Sequence, residues 1–228
     1  MSLYTIADLH LSFQVDKPMD IFPGWNNYVE RIEKNWLNTV QPQDTVVIPG
    51  DISWGMNLEQ TKDDFAFIHR LPGTKIISKG NHDYWFATKK KTEDYLTTNG
   101  FDSIRILFNN AYIYEDISIC GTRGWVNETG EENDRKIINR ESNRLRMSLD
   151  AGRALDKTPV VFLHYPPIFN GIQCDEILEV LHEYHVKKVY YGHIHGQSQR
   201  FAFIGENEGI SYQLVACDFT NFQLVKVL

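Results

Sequence analysis

The chain has 228 residues, 42% of them hydrophobic and 23% charged, a composition that buries a substantial core without disulfides. A net charge of −7 argues against non-specific binding to nucleic acid or to a membrane surface, although bound cations would add positive charge that this count omits. The three cysteines, Cys120, Cys174 and Cys217, are far apart and lack CxxC spacing, so buried reduced thiols are expected instead of a disulfide framework or a thiolate metal site.

Residues 3–11 are short, lack a basic leader and contain Asp8 and His10, so no signal peptide is expected. No apolar run approaches the roughly 20 residues that span a bilayer, and a soluble cytoplasmic protein is expected. Residues 2–7 read as a short strand ending at Asp8. A helix follows over 27–40, with Val29, Ile32, Trp36 and Leu37 at helical spacing. The β-branched run 45–48 leads into Gly50-Asp51, a helix is expected over 58–69, and the strand 74–78 runs into Gly80-Asn81-His82. The spacing predicts a helix over 85–98, then consecutive strands near 104–107, 111–114 and 117–120, which suggests a second sheet region.

Residues 121–133 read as a loop at the mouth of a site, and 133–151 as an amphipathic helix with Ile138, Leu145 and Leu149 on its apolar side. The apolar strand 159–163 ends at His164, and the helix 175–185 precedes the strand 186–191, which ends at Gly192-His193. Strands are expected near 199–203, 212–216 and 223–227. No repeat or long linker divides the chain, which reads as one domain over 1–228.

Five pieces at or near strand ends are rich in metal-ligand residues: Asp8-Leu9-His10, Gly50-Asp51, Gly80-Asn81-His82-Asp83, His164 and Gly192-His193-Ile194-His195-Gly196. Where the backbone turns, Asp8 and His10 can converge on one ion; His193 and His195 have the same separation, and their flanking glycines permit close approach to a ligand. Imidazole mixed with carboxylate suits Zn, Fe, Mn, Co or Ni better than Ca. Asp51 can bridge two cations, and Asn81 adds a neutral amide oxygen. Two such metals generate a hydroxide nucleophile near neutral pH and clamp an in-line displacement.

The set resembles the calcineurin-like metallophosphoesterase family, whose pattern DxH, GD, GNH(D/E), lone His and GHxH appears in order over positions 8 to 196. The resemblance implies an α/β fold, a four-layer α/β/β/α sandwich of two mixed β-sheets flanked by helices, with a dinuclear metal site at strand ends. It implies two divalent ions, with Mn, Fe or Zn the leading identities. One ion is held by Asp8, His10 and His195, the other by Asn81, His164 and His193, and Asp51 bridges them. His82 is then placed beside the substrate phosphate, stabilising charge or protonating the leaving oxygen, with Asp83 a partner to orient it.

Other residues allow two readings. Arg123, between Gly121-Thr122 and Gly124, suits a phosphate clamp or an exposed loop cation with Trp125 beneath it. Trp54, Tyr84 and Trp85 either wall the pocket or pack between sheet and helix, with packing favoured for Trp85. Arg135, Lys136, Arg140, Arg144 and Arg146 read as a solvated helix face that can also hang over the site, and Lys89 to Lys91 as another solvated face. His69, His182 and His185 match no element of the pattern, and Pro166-Pro167 limits the backbone after His164.

The expected function is metal-dependent hydrolysis of a small phosphodiester or nucleotide by in-line attack of a metal-bridging hydroxide. The substrate is a small phosphorylated molecule, with nucleic acid and membrane disfavoured and the oligomeric state open. The alternatives are a phosphomonoesterase of the same fold and a non-catalytic scaffold, but scaffold relatives lose ligand histidines that this chain keeps. The protein-phosphatase branch carries arginines in its GDxVDRG motif and before GNHE; here those stretches read Gly50-Asp51-Ile52-Ser53-Trp54-Gly55 and Lys79-Gly80. The metallo-β-lactamase pattern HxHxDH is absent. Many relatives carry Asn-Pro-Gly after GHxH, where this tail reads Ala216 to Asn221, a departure that touches the pocket wall and not the metals.

Overall fold

The computed structural model describes residues 1–125 and 132–228. In chain order the regular elements are β1 (Leu3–Thr5), α1 (Tyr28–Thr39), β2 (Thr45–Pro49), α2 (Lys62–Arg70), β3 (Thr74–Ser78), α3 (Lys89–Thr98), β4 (Ile104–Ile106), β5 (Tyr112–Tyr114) and β6 (Ile117–Thr122). They continue with α4 (Glu132–Arg153), β7 (Thr158–Leu163), β8 (Ile168–Phe169), β9 (Ile172–Gln173), α5 (Asp175–Glu183), β10 (Lys188–Tyr191), β11 (Gly205–Asn207), β12 (Ile210–Leu214) and β13 (Val225–Lys226). The fold is mixed α/β with two large mixed sheets and flanking helices, as the resemblance implies. Among the described residues no helix is long and apolar enough to cross a membrane.

The chain forms two compact units, Met1–Ile106 with Val215–Leu228, and Leu107–Leu214. The first holds a sheet of order β13-β1-β2-β3-β4, in which β1 to β4 run parallel and β13 is antiparallel at the edge. The second holds the order β11-β12-β10-β7-β6-β5, parallel from β12 to β6 with an antiparallel strand at each edge. The parallel strands are nearly continuous apolar runs, such as Val46 to Ile48 and Val160 to Leu163, and those residues are buried. In parallel α/β sheets functional loops leave the carboxyl ends of the strands, and every ligand motif of this chain lies just after such an end.

Four expectations need correction. The helix expected over 85–98 begins only at Lys89, because Trp85 is buried against Phe65 and Thr88 caps the helix by accepting a hydrogen bond from the Lys91 N–H. Residues 199–203 form no strand; Gly196–Phe201 is a 3-10 helix instead. Within α1, Ile32 and Trp36 are buried but Leu37 is 56% exposed, since one further residue rotates it about 100° away from that face. Of the loop expected over 121–133, Gly121 and Thr122 complete β6, residues 126–131 lie outside the described residues, and α4 begins at Glu132. Ile138, Leu145 and Leu149 are buried along α4 as their spacing predicts.

Two buried charges brace the first unit. Lys75 of β3 is fully buried, and its ammonium donates to the carbonyls of His69, Leu71 and Gly73, satisfying the acceptors at the end of α2. Asp64 of α2 accepts from the Phe13 N–H at 2.9 Å and from the Ser53 hydroxyl, joining the loops that follow β1 and β2. Burial pushes the Asp64 carboxyl up to about 6. The folded state therefore keeps a proton that the unfolded chain releases near the ordinary value of 3.8. This stabilising contribution is complete below roughly pH 4 and is lost as pH rises through 6. Between about pH 4 and pH 7, wild-type stability in urea is expected to decline by about 2–3 kcal/mol more than that of Asp64→Asn. Parallel stability curves for the two proteins would exclude this role.

Candidate metal centre

The loops after β1 and β2 run side by side and are joined through the backbone. The N–H groups of Asp8, His10 and Leu11 donate to the carbonyls of Gly50, Asp51 and Ile52 at 3.0–3.1 Å, and Trp54 N–H returns to Leu11. This pairing holds Asp8, His10 and Asp51 at positive φ, 63°, 47° and 52°, a region that non-glycine residues occupy only when the surroundings impose it. The carboxyl and imidazole of Asp8 and His10 bring ligand atoms within 4.8 Å of each other, and His10 Nε2 is 3.8 Å from Asp51 Oδ2.

The loop after β3 closes on the same place. His82 N–H donates to Asp51 Oδ1 at 2.8 Å, which seats Asn81 beside that carboxylate in the chain. Gly80 is required by space, since a Cβ there would fall 2.1 Å from Asp51 Oδ1. Asp83, also fully buried, ties the loops after β2 and β3 together. Its Oδ1 accepts from Ile52 N–H, Ser53 N–H and Trp85 Nε1–H at 2.9, 3.2 and 2.9 Å, and its Oδ2 from Gly80 N–H at 2.8 Å. Burial and then the nearby Asp51 charge push its pKa up, and these donors act against both to hold the carboxylate. The His82 ring is not among its hydrogen-bonding partners, so Asp83 acts on the loops and not on that imidazole.

The His82 ring rests instead on Trp54, with centroids 4.3 Å apart, and His10 completes the cluster, stacked on Trp54 at 5.1 Å and 5.7 Å from the His82 ring. His82 Nδ1 is buried without a hydrogen-bond partner among the described residues. Of the residues open to two readings, Trp54 packs its ring against both imidazoles. Trp85 is 2% exposed and packs, whereas Tyr84 is 55% exposed. From the tail, the Cys217 thiol donates to the Asp8 carbonyl at 2.9 Å, a brace unseen in the sequence because 209 residues separate the pair. All three cysteines are buried free thiols.

In the second unit the loops after β6, β7 and β10 are joined in the same way. His164 and Tyr165 N–H both donate to the Arg123 carbonyl, and Gly192 N–H donates to the His164 carbonyl. His164 is fully buried, and His193, at φ 72°, approaches it with a ligand atom within 4.8 Å. Tyr165 lies 4.1 Å from the His193 ring and 5.0 Å from that of Trp125. His195 opens the 3-10 helix two residues on.

Arg123 is not the exposed cation of one reading. Its side chain is 16% exposed, its guanidinium lies 4.9 Å over Trp125, and it faces Glu141 at 3.7 Å. Glu141 is a fully buried carboxylate that sequence reasoning missed; the signal was its place three residues after Ile138 and four before Leu145, on the apolar stripe of α4. His69 pairs with Ser103 at 3.0 Å and His182 with Glu208 at 2.9 Å, away from these motifs in the chain.

Asp8 and Asp51 are buried carboxylates among buried imidazoles, a donor set of nitrogen and oxygen that fits divalent cations and needs their charge. In the first unit Asp8, His10 and Asp51 supply these donors with Asn81 adjacent, and in the second His164 and His193 do so.

The fold recurs among solved structures. TT1561 of Thermus thermophilus matches with a TM-score of 0.55 and 12% identity, over 98% of this chain and 96% of that one. A protein of unknown function, AQ665 from Aquifex aeolicus, matches at 0.52 and 17%, over 99% and 95%. The phosphopantetheinyl hydrolase PptH from Mycobacterium tuberculosis matches at 0.52 and 14%, over 100% and 95%. At such identities these likenesses show the fold alone, and no curated protein matches the sequence. The model of the calcineurin-like phosphoesterase family matches residues 1–197, which contain all the motifs described above, and the chain therefore belongs to that family of metal-dependent hydrolases.

Proposed function

We propose that this protein hydrolyses a small phosphodiester or nucleotide with two divalent cations bound, Mn, Fe or Zn. The carrying observation is the buried set Asp8, His10 and Asp51, locked at positive φ by paired loops, with His82 bonded to the Asp51 carboxylate. In this reading His195 joins Asp8 and His10 on one cation, Asn81, His164 and His193 hold the other, and Asp51 bridges them. The cations would lower the pKa of water and offset charge on the phosphate. His82 faces the departing oxygen and gives it a proton. Trp54 keeps the His82 and His10 rings in place, and Asp83 positions the loops that carry Asp51 and Asn81.

Preference for a diester is supported by the place where the phosphatase branch carries arginine. Here Trp54 stands in that loop, stacked on His10 and His82, so no guanidinium is supplied there for the second negative charge of a monoester. A cytoplasmic setting accords with three buried free thiols.

Mn²⁺-loaded protein is expected to cleave bis-p-nitrophenyl phosphate faster than p-nitrophenyl phosphate, and to lose both activities on chelation. Preference for the monoester would favour a phosphatase. Turnover of neither, with both metals bound, would oppose the hydrolytic reading of this substrate class.

A further inference from the structure

We propose that Arg123, Arg140 and Arg144 form an anion subsite for a second phosphate of the substrate, distinct from the phosphate that is cleaved. The inference rests on the phosphoesterase reading above and adds to it the charge pattern of the substrate.

The three guanidinium groups surround a single carboxylate. Glu141 Oε2 accepts from the Thr122 hydroxyl at 2.7 Å and Oε1 from Arg144 Nη1 at 2.7 Å, so both of its oxygens are already bonded. Arg123 Nη2 and Arg140 Nε stand 3.7 and 3.6 Å from Oε1, beyond hydrogen-bond distance. Of the three, Arg144 alone hydrogen-bonds Glu141, while Arg123 and Arg140 lie within ion-pair reach of the same oxygen, so three cations share one carboxylate and two positive charges stay uncompensated. No other carboxylate pairs with any of the three among the described residues, in a chain whose overall charge is −7.

Arg123 is the group most in need of an anion. Its Nε is buried and has no hydrogen-bond partner among the described residues. Burial disfavours its cationic form, and the charges of Arg140 and Arg144 act in the same direction against the pull of Glu141. Like charges gathered around the largely buried Arg123 raise the energy of the free protein, and a phosphate dianion relieves that repulsion. The guanidinium fork matches two phosphate oxygens at once, and Arg140, 53% exposed, leaves the cluster open to solvent.

The cluster is fixed to the metal-ligand loop of its own unit. The Arg123 carbonyl accepts from His164 N–H at 3.1 Å and Tyr165 N–H at 2.8 Å, and ring contacts run from Trp125 through Tyr165 to His193. The inferred subsite is thus tied, through the Arg123 backbone, to the loop that carries His164. The ligand class is a phosphorylated substrate with a dianionic phosphate near the scissile ester, such as a nucleotide with phosphates at two positions of its sugar.

Two esters with the same leaving group test this: thymidine 5′-(p-nitrophenyl phosphate) and its 3′-phosphorylated counterpart. With Mn²⁺-loaded protein, KM for the 3′-phosphorylated ester is expected to be lower by about tenfold or more, and Arg140→Ala and Arg144→Ala bring that ratio toward one. Arg140 is half-exposed and is the variant that keeps its fold if loss of Arg144 strips Glu141 of its nearest partner. An equal KM for both esters in the wild type would overturn the subsite. So would a uniform loss on both esters in the variants, which would assign the arginines to the scissile phosphate.

A binding measurement separates this inference from the hydrolytic one. Calorimetric titration of chelator-treated protein with thymidine 3′,5′-bisphosphate is expected to show binding that weakens about tenfold in Arg140→Ala. Absence of binding in the wild type, or equal affinity for inorganic phosphate, would overturn the subsite whether or not any ester is turned over.

Discussion

Turnover of bis-p-nitrophenyl phosphate by the Mn²⁺-loaded protein is expected to fall by about 10²-fold in His82→Ala, and that of a diester with an alkyl leaving group by about 10⁴-fold. The difference comes from the leaving oxygen: nitrophenolate departs with little help, whereas an alkoxide requires the proton. In the proposed role, His82 is held by groups other than Asp83. Its N–H is bonded to Asp51 Oδ1, its ring is supported by Trp54, and its Nδ1 has no hydrogen-bond partner among the described residues. Bound metal, measured by atomic absorption, is expected to stay at the wild-type level, because the backbone bond to Asp51 survives the substitution. An equal loss on both leaving groups would assign His82 to charge stabilisation at the phosphate, and unchanged rates on both would remove it from catalysis.

Asp83→Leu is expected to destabilise the protein by about 3–5 kcal/mol, because four buried N–H groups lose their acceptor together. For a chain of this size that corresponds to a fall in the thermal midpoint of roughly 10 °C or more. Asp83→Asn keeps one oxygen for the donors of Ile52, Ser53 and Trp85 and turns an amide N–H₂ toward Gly80, so its cost is smaller, about 1–3 kcal/mol. The same order is expected for Mn²⁺ affinity, wild type above Asn above Leu, since these loops carry Asp51 and Asn81. Calorimetric melting of the three proteins checks the stability ranking, and a leucine variant as stable as the wild type would show that these donors find other partners.

The two largest effects therefore depend on residues of one tetrapeptide, Gly80-Asn81-His82-Asp83, whose neighbours lie about thirty positions away in the chain. His82 N–H meets Asp51, and Asp83 meets Ile52 and Ser53. The motif was legible from sequence, but the division of labour within it was not. Pairing Asp83 with His82 is the natural expectation for adjacent residues; the fold instead directs the carboxylate to the loops, and tryptophan supports the imidazole.

The ligand chemistry is written locally, in short motifs after β-branched runs, so Asp8, His10, Asp51, Asn81, His82, His164, His193 and His195 could be listed from sequence with the family they imply. Most strands and helices were legible for the same reason, because period and apolar runs are properties of consecutive residues. Short-range pattern fails where several local conformations have similar energies. Residues 196–201 coil into a 3-10 helix, and Trp85 packs before its helix can start. Only the tertiary structure decided that Asp8, His10, Asp51 and His193 adopt positive φ, that Cys217 braces Asp8, and that Glu141 is buried among three arginines. Each of these states is unfavourable for the isolated segment. Each is maintained by hydrogen bonds, ion pairs or packing from distant parts of the chain, which no local pattern of residues records.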